Sequence, residues 1–183
     1  MTSIDFIQAT TFESLPKSTI KEAVRCFVDT LGVAVGGSQT QVAHIIHNHA
    51  ARQFGGDAAT LWQDGRRVSA AGAALANAMT IDSLDAHDGH KLTKGHVGCG
   101  VLPGLIAMME AEGKADAPEL LTSIVIGYEI GTRAGIALHA SACDYHTSGA
   151  WIALATAALG ARQLGLTQAQ TREAVGIAEY HGP

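Results

Sequence analysis

The sequence predicts an all-α protein, a multi-helix domain that carries one small β-hairpin. Hydrophobic residues make up 47% of the chain and charged residues 16%, which is the composition of a chain that buries a large core. Apolar residues recur at spacings of three and four along several segments, which is the period of an amphipathic helix. Aromatic residues are scarce at 5%, whereas glycine and alanine are plentiful, so we expect helices that pack through small side chains.

The first helix is predicted over residues 16–35, where apolar and charged positions separate onto two faces. Pro16 suits its first turn, because no intrahelical N–H is needed there, and Gly36 and Gly37 end it. A second helix is predicted over residues 40–53, before the next pair of glycines.

The hairpin is predicted within residues 58–68, where Asp64-Gly65 indicates a tight turn between two short strands. Ser69 then caps a buried, alanine-rich helix that runs to Ile81. Later helices are predicted over 99–112, 116–138 and 149–164, and a last one opens at the capping box of Thr167.

One of these later helices carries three glycines four residues apart, at Gly127, Gly131 and Gly135. They line one face and would let another backbone come close. Each glycine opposes helix formation by up to about 1 kcal/mol relative to alanine, so packing must compensate.

Charge and cysteine content restrict the class of partner. The chain has 12 basic and 17 acidic side chains, a formal charge of −5, which argues against nucleic-acid binding. No apolar stretch approaches the roughly 18 residues that span a bilayer, so no membrane partner is expected. The three cysteines form no C-x-x-C pair and no signal peptide begins the sequence, so we expect a cytoplasmic protein.

Two polar segments interrupt the apolar pattern, and each lies directly before a predicted helix. The first covers residues 82–98 and the second residues 139–149. A helix N-terminus favours an anion, because its free N–H groups and the helix dipole point at the ligand. The first segment also gathers carboxylate, imidazole and ammonium groups: Asp85, His87, Asp88, His90, Lys91, Lys94 and His96.

This arrangement predicts a cradle for a polycarboxylate, with the two lysines as cationic partners. Histidine can take and return a proton near pH 7, as chemistry beside a carboxylate requires. A metal site is the main rival interpretation, because the segment also offers nitrogen and oxygen ligands for zinc or iron. Its spacing fits no compact metal motif and its lysines would repel a cation, so we expect neither metal nor cofactor. The rival's ligands would be Asp85, His87, Asp88, His90 and His96.

Several other polar side chains are predicted to have no role in chemistry. His44, His47 and His49 have mixed spacing on a short helix and are expected at the surface. Cys99 and Cys143 lie beside the polar segments and are expected to pack rather than to act as nucleophiles.

Four motifs carry a resemblance to a known family. They are Phe27-Val-Asp-Thr-Leu-Gly-Val-Ala-Val-Gly36, then Leu84-Asp85-Ala-His-Asp88 with His96 and Val101-Leu-Pro103, then Tyr145-His146-Thr-Ser-Gly149, and Leu164-Gly-Leu-Thr167. In this order they resemble the MmgE/PrpD family, over essentially the whole chain.

The resemblance implies a large all-helical domain with a lid domain later in the chain, assembled as a homodimer. It also implies metal-free lyase or isomerase chemistry on di- or tricarboxylates, such as 2-methylcitrate dehydration, cis-aconitate decarboxylation or iminodisuccinate epimerisation. By motif match, the resemblance places Asp85, His96 and His146 among the catalytic residues. For substrate binding we predict His90, Lys94, Thr147 and Ser148.

Two departures from the family pattern leave alternatives open. Members often read Asp-Phe-Asp-Asp-Thr where this chain has Asp85-Ala-His-Asp-Gly89, so the substrate is not fixed by the sequence. Family members are also longer, so residues 1–183 are expected to be the N-terminal part of the helical domain, marginally stable alone. The alternatives are an inactive helical fragment that only dimerises, and a His/Asp metal-binding protein.

Overall fold

Helices dominate the fold. The computed structural model describes residues 2–142 and 147–182, and within these ranges it contains eight α-helices, a 3-10 turn at Phe12–Ser14 and one two-stranded antiparallel hairpin. The elements are α1 (Ser3–Ala9), α2 (Lys17–Gly37), α3 (Gln41–Gln53), β1 (Ala59–Thr60), β2 (Arg67–Val68), α4 (Ala70–Asp82), α5 (Gly98–Ala111), α6 (Ala117–Ser141), α7 (Ser148–Gln163) and α8 (Gln168–Tyr180). The predicted all-α class with one hairpin is confirmed.

The predicted helix starts are confirmed to within one or two residues, and local caps fix those of α4, α6 and α8. The Ser69 hydroxyl accepts the Gly72 N–H at the start of α4. The Asp116 carboxylate accepts the Glu119 N–H at 2.7 Å and opens α6. Thr167 forms the predicted capping box with α8. At its other end α6 continues to Ser141, three residues beyond the predicted stop.

Helix α1 was not predicted from the sequence. Its start is a capping box in which Thr2 accepts the Asp5 N–H and the Asp5 carboxylate accepts the Thr2 N–H. Ile7 buries the apolar side of this short helix in the main core. A helix of seven residues is too short for its periodicity to be detected.

The hairpin turn differs from the prediction. The ladder pairs Ala59 with Val68 and continues to a Leu61–Arg66 backbone hydrogen bond, so residues 62–65 form the turn, not a two-residue Asp-Gly turn. Gly65 has a φ of +83° and Gln63 one of +62° in this longer turn.

Two hydrophobic clusters form the core. The larger lies among α1, α5, α6 and α7 and includes Leu102, Leu105, Ile124, Trp151 and Leu159. The smaller fills the space between the hairpin, α3 and α4. No helix in the part of the chain that the structure describes has the length and apolar character of a membrane span.

The three glycines of α6 form a groove that receives side chains, not the backbone that the sequence led us to expect. A Cβ at Gly127 would lie 2.7 Å from Val101 Cγ1 of α5. A Cβ at Gly135 would lie 2.8 Å from Thr93 Cγ2 and 3.0 Å from Trp151 Cδ2. The groove therefore seats α5, α7 and the segment before α5 against α6.

His47 is buried, so its predicted surface position is wrong, whereas His44 and His49 are exposed as predicted. The Nε2 of His47 lies 3.0 Å from Thr80 Oγ1, and its Nδ1 lies 3.5 Å from an Asp64 carboxylate oxygen. The imidazole thus links α3 to α4 and to the hairpin turn. Burial lowers the pKa of His47 despite the nearby Asp64 carboxylate.

We predict that Gly127→Ala destabilises the protein by about 1–3 kcal/mol, because the new methyl group would overpack the contact with Val101. Gly32→Ala is the matched control, since a Cβ in that helix interior meets nothing within 4 Å. The free energy of unfolding of the control should rise by about 0.5–1 kcal/mol, because alanine has a higher helix propensity than glycine. Urea unfolding of both variants measures the difference, and an equal response would show that the groove is not tightly packed.

We predict that His47→Gln lowers the free energy of unfolding by about 1 kcal/mol or more at neutral pH, through loss of a buried hydrogen bond. The folded-state pKa of His47 is lowered, so below about pH 6.5 the unfolded chain binds more protons and wild-type stability falls. The variant should therefore lose less stability than wild type between about pH 7 and pH 5. The exposed His44→Gln variant should follow wild type, and identical slopes in all three proteins would contradict the assignment.

A candidate active site at the loop between α4 and α5

Residues 83–97 join α4 to α5 and are called the site loop below. Thr93 is fully buried and holds the loop together, because its hydroxyl lies 3.0 Å from the His90 carbonyl and 3.3 Å from the Gly95 carbonyl. A backbone hydrogen bond of 3.0 Å from His90 to Gly95 closes the same turn. Since Thr93 also contacts Gly135 of α6, the loop is fixed to the core from within.

Three titratable side chains of the site loop lie close together. His96 Nδ1 lies 2.7 Å from His87 Nε2, and His96 Nε2 lies 3.6 Å from Asp85 Oδ1. The His87 side chain is fully buried, that of His96 is 24% exposed and that of Asp85 is 85% exposed. The cluster therefore runs from the interior to the surface, with His96 in the middle.

The surroundings of His87 favour its neutral form. Burial lowers its pKa, and the neighbouring His96 lowers it further, whereas Asp88 and two other carboxylates oppose the shift. A neutral imidazole has one N–H and one bare nitrogen, so the His87–His96 contact has a definite direction.

Asp88 lies below the cluster, against the first turn of α5. Its Oδ2 accepts the Gly98 N–H at 3.3 Å, while its Oδ1 makes no hydrogen bond within the described residues. A Cβ at Gly98 would lie 2.5 Å from Asp88 Oδ1, 2.4 Å from the Tyr128 hydroxyl and 3.0 Å from Thr30 Oγ1. The lack of a side chain at Gly98 therefore lets α2, α6 and the loop converge.

Burial determines the ionisation of this lower layer. It raises the pKa of Asp88, and the Gly98 N–H only partly offsets the effect. It also raises the pKa of Tyr128, with a further contribution from the nearby Asp88 carboxylate. The carboxyl group and the phenol thus resist charging.

The Asp88 contact corrects one part of the sequence analysis. We expected free N–H groups at the start of α5 to hold a substrate carboxylate, but the first of them, at Gly98, is taken by the protein's own Asp88. The start of α7 is different, because its cap residue Thr147 makes no side-chain cap hydrogen bond.

The loop backbone is strained at two predicted site residues. Asp85 has a φ of +48° and Lys94 a φ of +49°. Both lie in the left-handed region, which residues other than glycine seldom adopt. Such strain persists only where the surroundings enforce it, and it concentrates at functional sites.

The two polar segments approach each other at Gly95 and Ser148. A Cβ at Gly95 would lie 2.7 Å from Ser148 Oγ and 3.0 Å from Trp151 Cζ2, so the start of α7 packs directly on the loop. His146, predicted to be catalytic, and Cys143 lie outside the described residues.

The remaining predicted residues occupy different positions. His90 and Lys94 are exposed and lie on the solvent side of the loop, and Thr147 and Ser148 are half-buried at the start of α7. The loop thus brings Asp85 and His96 together, and Ser148 reaches the same loop through Gly95.

The side chains that could together hold a metal ion differ from those that the sequence analysis named. Within the described residues, ligand atoms of Asp82, His87 and Cys99 lie within 4.8 Å of one another, and of these only His87 was among the predicted ligands. Burial raises the pKa of the Cys99 thiol to about 12. His87 Nε2 is already committed to His96. Among the described residues, the five side chains that the sequence offered as metal ligands do not come together as one group.

Sequence reasoning missed the supporting layer. It named His87 and Asp88 as members of a polar segment and as ligands of the rival metal site, and it assigned nothing to Thr30 or Tyr128. The detectable signal was a hydroxyl on an otherwise apolar face of each long helix, since α2 and α6 direct Thr30 and Tyr128 toward Gly98.

The fold and the loop define an all-α domain with a histidine and carboxylate cluster between two helices. The family model described as the MmgE/PrpD N-terminal domain matches residues 4–183. The chain belongs to the MmgE/PrpD family.

Curated relatives agree with this assignment. The chain is 31% identical over 175 residues to the cis-aconitate decarboxylase of Homo sapiens, covering 91% of this chain and 36% of that protein. It is 31% identical over 180 residues to the Mus musculus cis-aconitate decarboxylase, with the same two coverages. It is 30% identical over 122 residues to the cis-aconitate decarboxylase-like protein oryM of Aspergillus oryzae, covering 62% of this chain and 25% of that protein. The chain thus spans about a third or less of the length of these relatives.

We predict that Asp88→Asn raises the melting temperature at about pH 8, because it removes a buried carboxylate whose pKa is raised by burial. In wild type the folded state binds this proton more tightly than the unfolded state, so stability declines as pH rises above about 4. The increase in melting temperature of the variant over wild type should therefore shrink toward about pH 4, where the carboxyl group is protonated. Thermal unfolding at both pH values checks this, and a variant less stable than wild type at pH 8 would contradict it.

Proposed function

We propose that the complete protein carrying this chain is a metal-independent lyase or isomerase that moves a proton next to a carboxylate of a di- or tricarboxylate. Dehydratase, decarboxylase and epimerase reactions all belong to this type. Family membership supports the reaction class, and two relatives are named cis-aconitate decarboxylase and a third a cis-aconitate decarboxylase-like protein. The observation that carries the proposal is the Asp85–His96 pair, held at the surface end of a strained and internally anchored loop.

The proposed catalytic residues are Asp85, His96 and His146. The imidazole of His96 is partly exposed, so it can reach a bound substrate, and its Nε2 can donate a proton to it. A Cβ at Gly89 would lie 3.7 Å from this nitrogen, so the glycine leaves the approach uncrowded. Asp85 orients the same edge of the ring. His146 precedes α7, whose first turn packs on the site loop.

The proposed substrate-binding residues surround this pair. Lys94 and His90 supply donors from the exposed side of the loop, and Lys94 adds a positive charge suited to a carboxylate. Thr147 and Ser148 supply hydroxyl groups and the uncapped N-terminus of α7, where an anion is favoured. No cofactor is proposed. We further propose that residues 1–183 form the N-terminal part of the helical domain and that the protein is a cytoplasmic homodimer, as the sequence predicted.

The test is deuterium exchange at carbons next to carboxylates, followed by NMR with the complete protein and a panel of di- and tricarboxylic acids. With a substrate found this way, His96→Gln, His146→Gln and Asp85→Asn should each lower kcat by at least about 10²-fold with the fold intact, since a general acid or base contributes that much or more. His49→Gln is the control, because His49 is exposed on α3 and should leave turnover unchanged.

Three results would contradict the proposal. Near-normal turnover in all three site variants would place the chemistry elsewhere in the protein. Loss of activity on exhaustive chelation, restored by one divalent metal, would favour the metal-binding alternative. Absence of exchange with every acid in the panel would favour a helical protein that only dimerises.

A further inference from the structure

The His87–His96 contact leaves open which of the two rings donates, and the surrounding atoms decide it. At 2.7 Å between His96 Nδ1 and His87 Nε2, one nitrogen must carry a proton and the other must accept it. Either His87 donates from Nε2, or His96 donates from Nδ1.

The buried side of His87 favours His87 as the donor. Its Nδ1 is buried and makes no hydrogen bond within the described residues. If His96 donated, neutral His87 would carry its own proton on Nδ1, where that N–H has no acceptor. Buried N–H groups without acceptors are rare, and under-satisfied buried acceptors are somewhat less so.

The nearest carboxylate favours the same direction. Asp82 Oδ1 lies 3.6 Å from His87 Nε2. A proton on this nitrogen is attracted to the carboxylate, whereas a bare lone pair would be repelled by it. Both sides of the His87 ring therefore favour the proton on Nε2.

We propose that His87 is a positioning residue that holds His96 in the tautomer with a bare Nδ1 and a protonated Nε2. Because Nδ1 accepts from His87, a neutral His96 carries its proton on the nitrogen that faces Asp85 Oδ1 at 3.6 Å. Burial, which keeps His87 neutral, preserves this direction at neutral pH.

This arrangement assigns a role within the proposed function, on which the step to catalysis rests. A protonated Nε2 gives His96 a hydrogen-bond donor for a carboxylate or for an oxygen on which negative charge develops. The group that removes the substrate proton is then a different residue from His96, because the reactive nitrogen of His96 has no free lone pair in the resting state.

The experiment measures the tautomer directly by ¹⁵N NMR of histidine ring nitrogens in the complete protein. Wild-type His96 should show a protonated Nε2 and an unprotonated Nδ1 near pH 7.5. His87→Gln should keep this pattern, because the amide Nε2 can donate from nearly the same place. His87→Glu should instead protonate Nδ1 of His96, because a carboxylate only accepts.

Activity provides the second readout once a substrate is known. His87→Glu should lower kcat by about 10²-fold or more through the wrong tautomer, and His87→Gln should recover most of that loss. A merely structural role for His87 would instead make turnover follow stability in both variants, with no change of tautomer.

A proton on His96 Nδ1 in the wild type would overturn the proposal, whether or not the glutamate variant folds. An unchanged His96 tautomer in a folded His87→Glu protein would overturn it as well. If the tautomers are as expected and no carboxylic acid undergoes exchange, the proposed function fails while the assignment of His87 stands.

Discussion

The groove of small residues on α6 is the packing constraint on which the candidate site depends. Gly135 lets Thr93 and Trp151 enter the same space against the helix, and both would be displaced by a methyl group there. Thr93 in turn bonds the carbonyls of His90 and Gly95, so the loop conformation follows from one buried threonine. The position of His96 beside His87 is thus set by how closely the loop can approach α6.

The helices could be predicted from the sequence because their determinants are local. Caps such as Ser69 and Asp116, and an apolar period sustained over many residues, act without knowledge of the rest of the chain. The prediction of a two-residue hairpin turn was wrong, because an Asp-Gly pair expresses only a local preference. Arg66 pairs with the Asp64 carboxylate at 2.6 Å and pairs through its backbone with Leu61, which widens the turn.

The candidate site could be predicted only in its exposed part. Asp85 and His96 were identified from residue type and from resemblance to the family, and the structure places them together. The supporting layer depends on burial, and nothing in the polar segment distinguishes buried His87 from exposed His90 before the loop is folded. His47 was misassigned for the same reason, since its partners come from another helix and from a turn.

Trp151 has a consequence for how the protein can be observed. Its indole is 1% exposed and lies between the glycines of α6 and the backbone of Gly95, one residue before His96. Indole emission responds to the polarity and motion of its surroundings, and the sequence contains only two tryptophans. The emission of Trp151 in the unlabelled protein therefore reports on the loop itself, and displacement of the loop from α6 would change it.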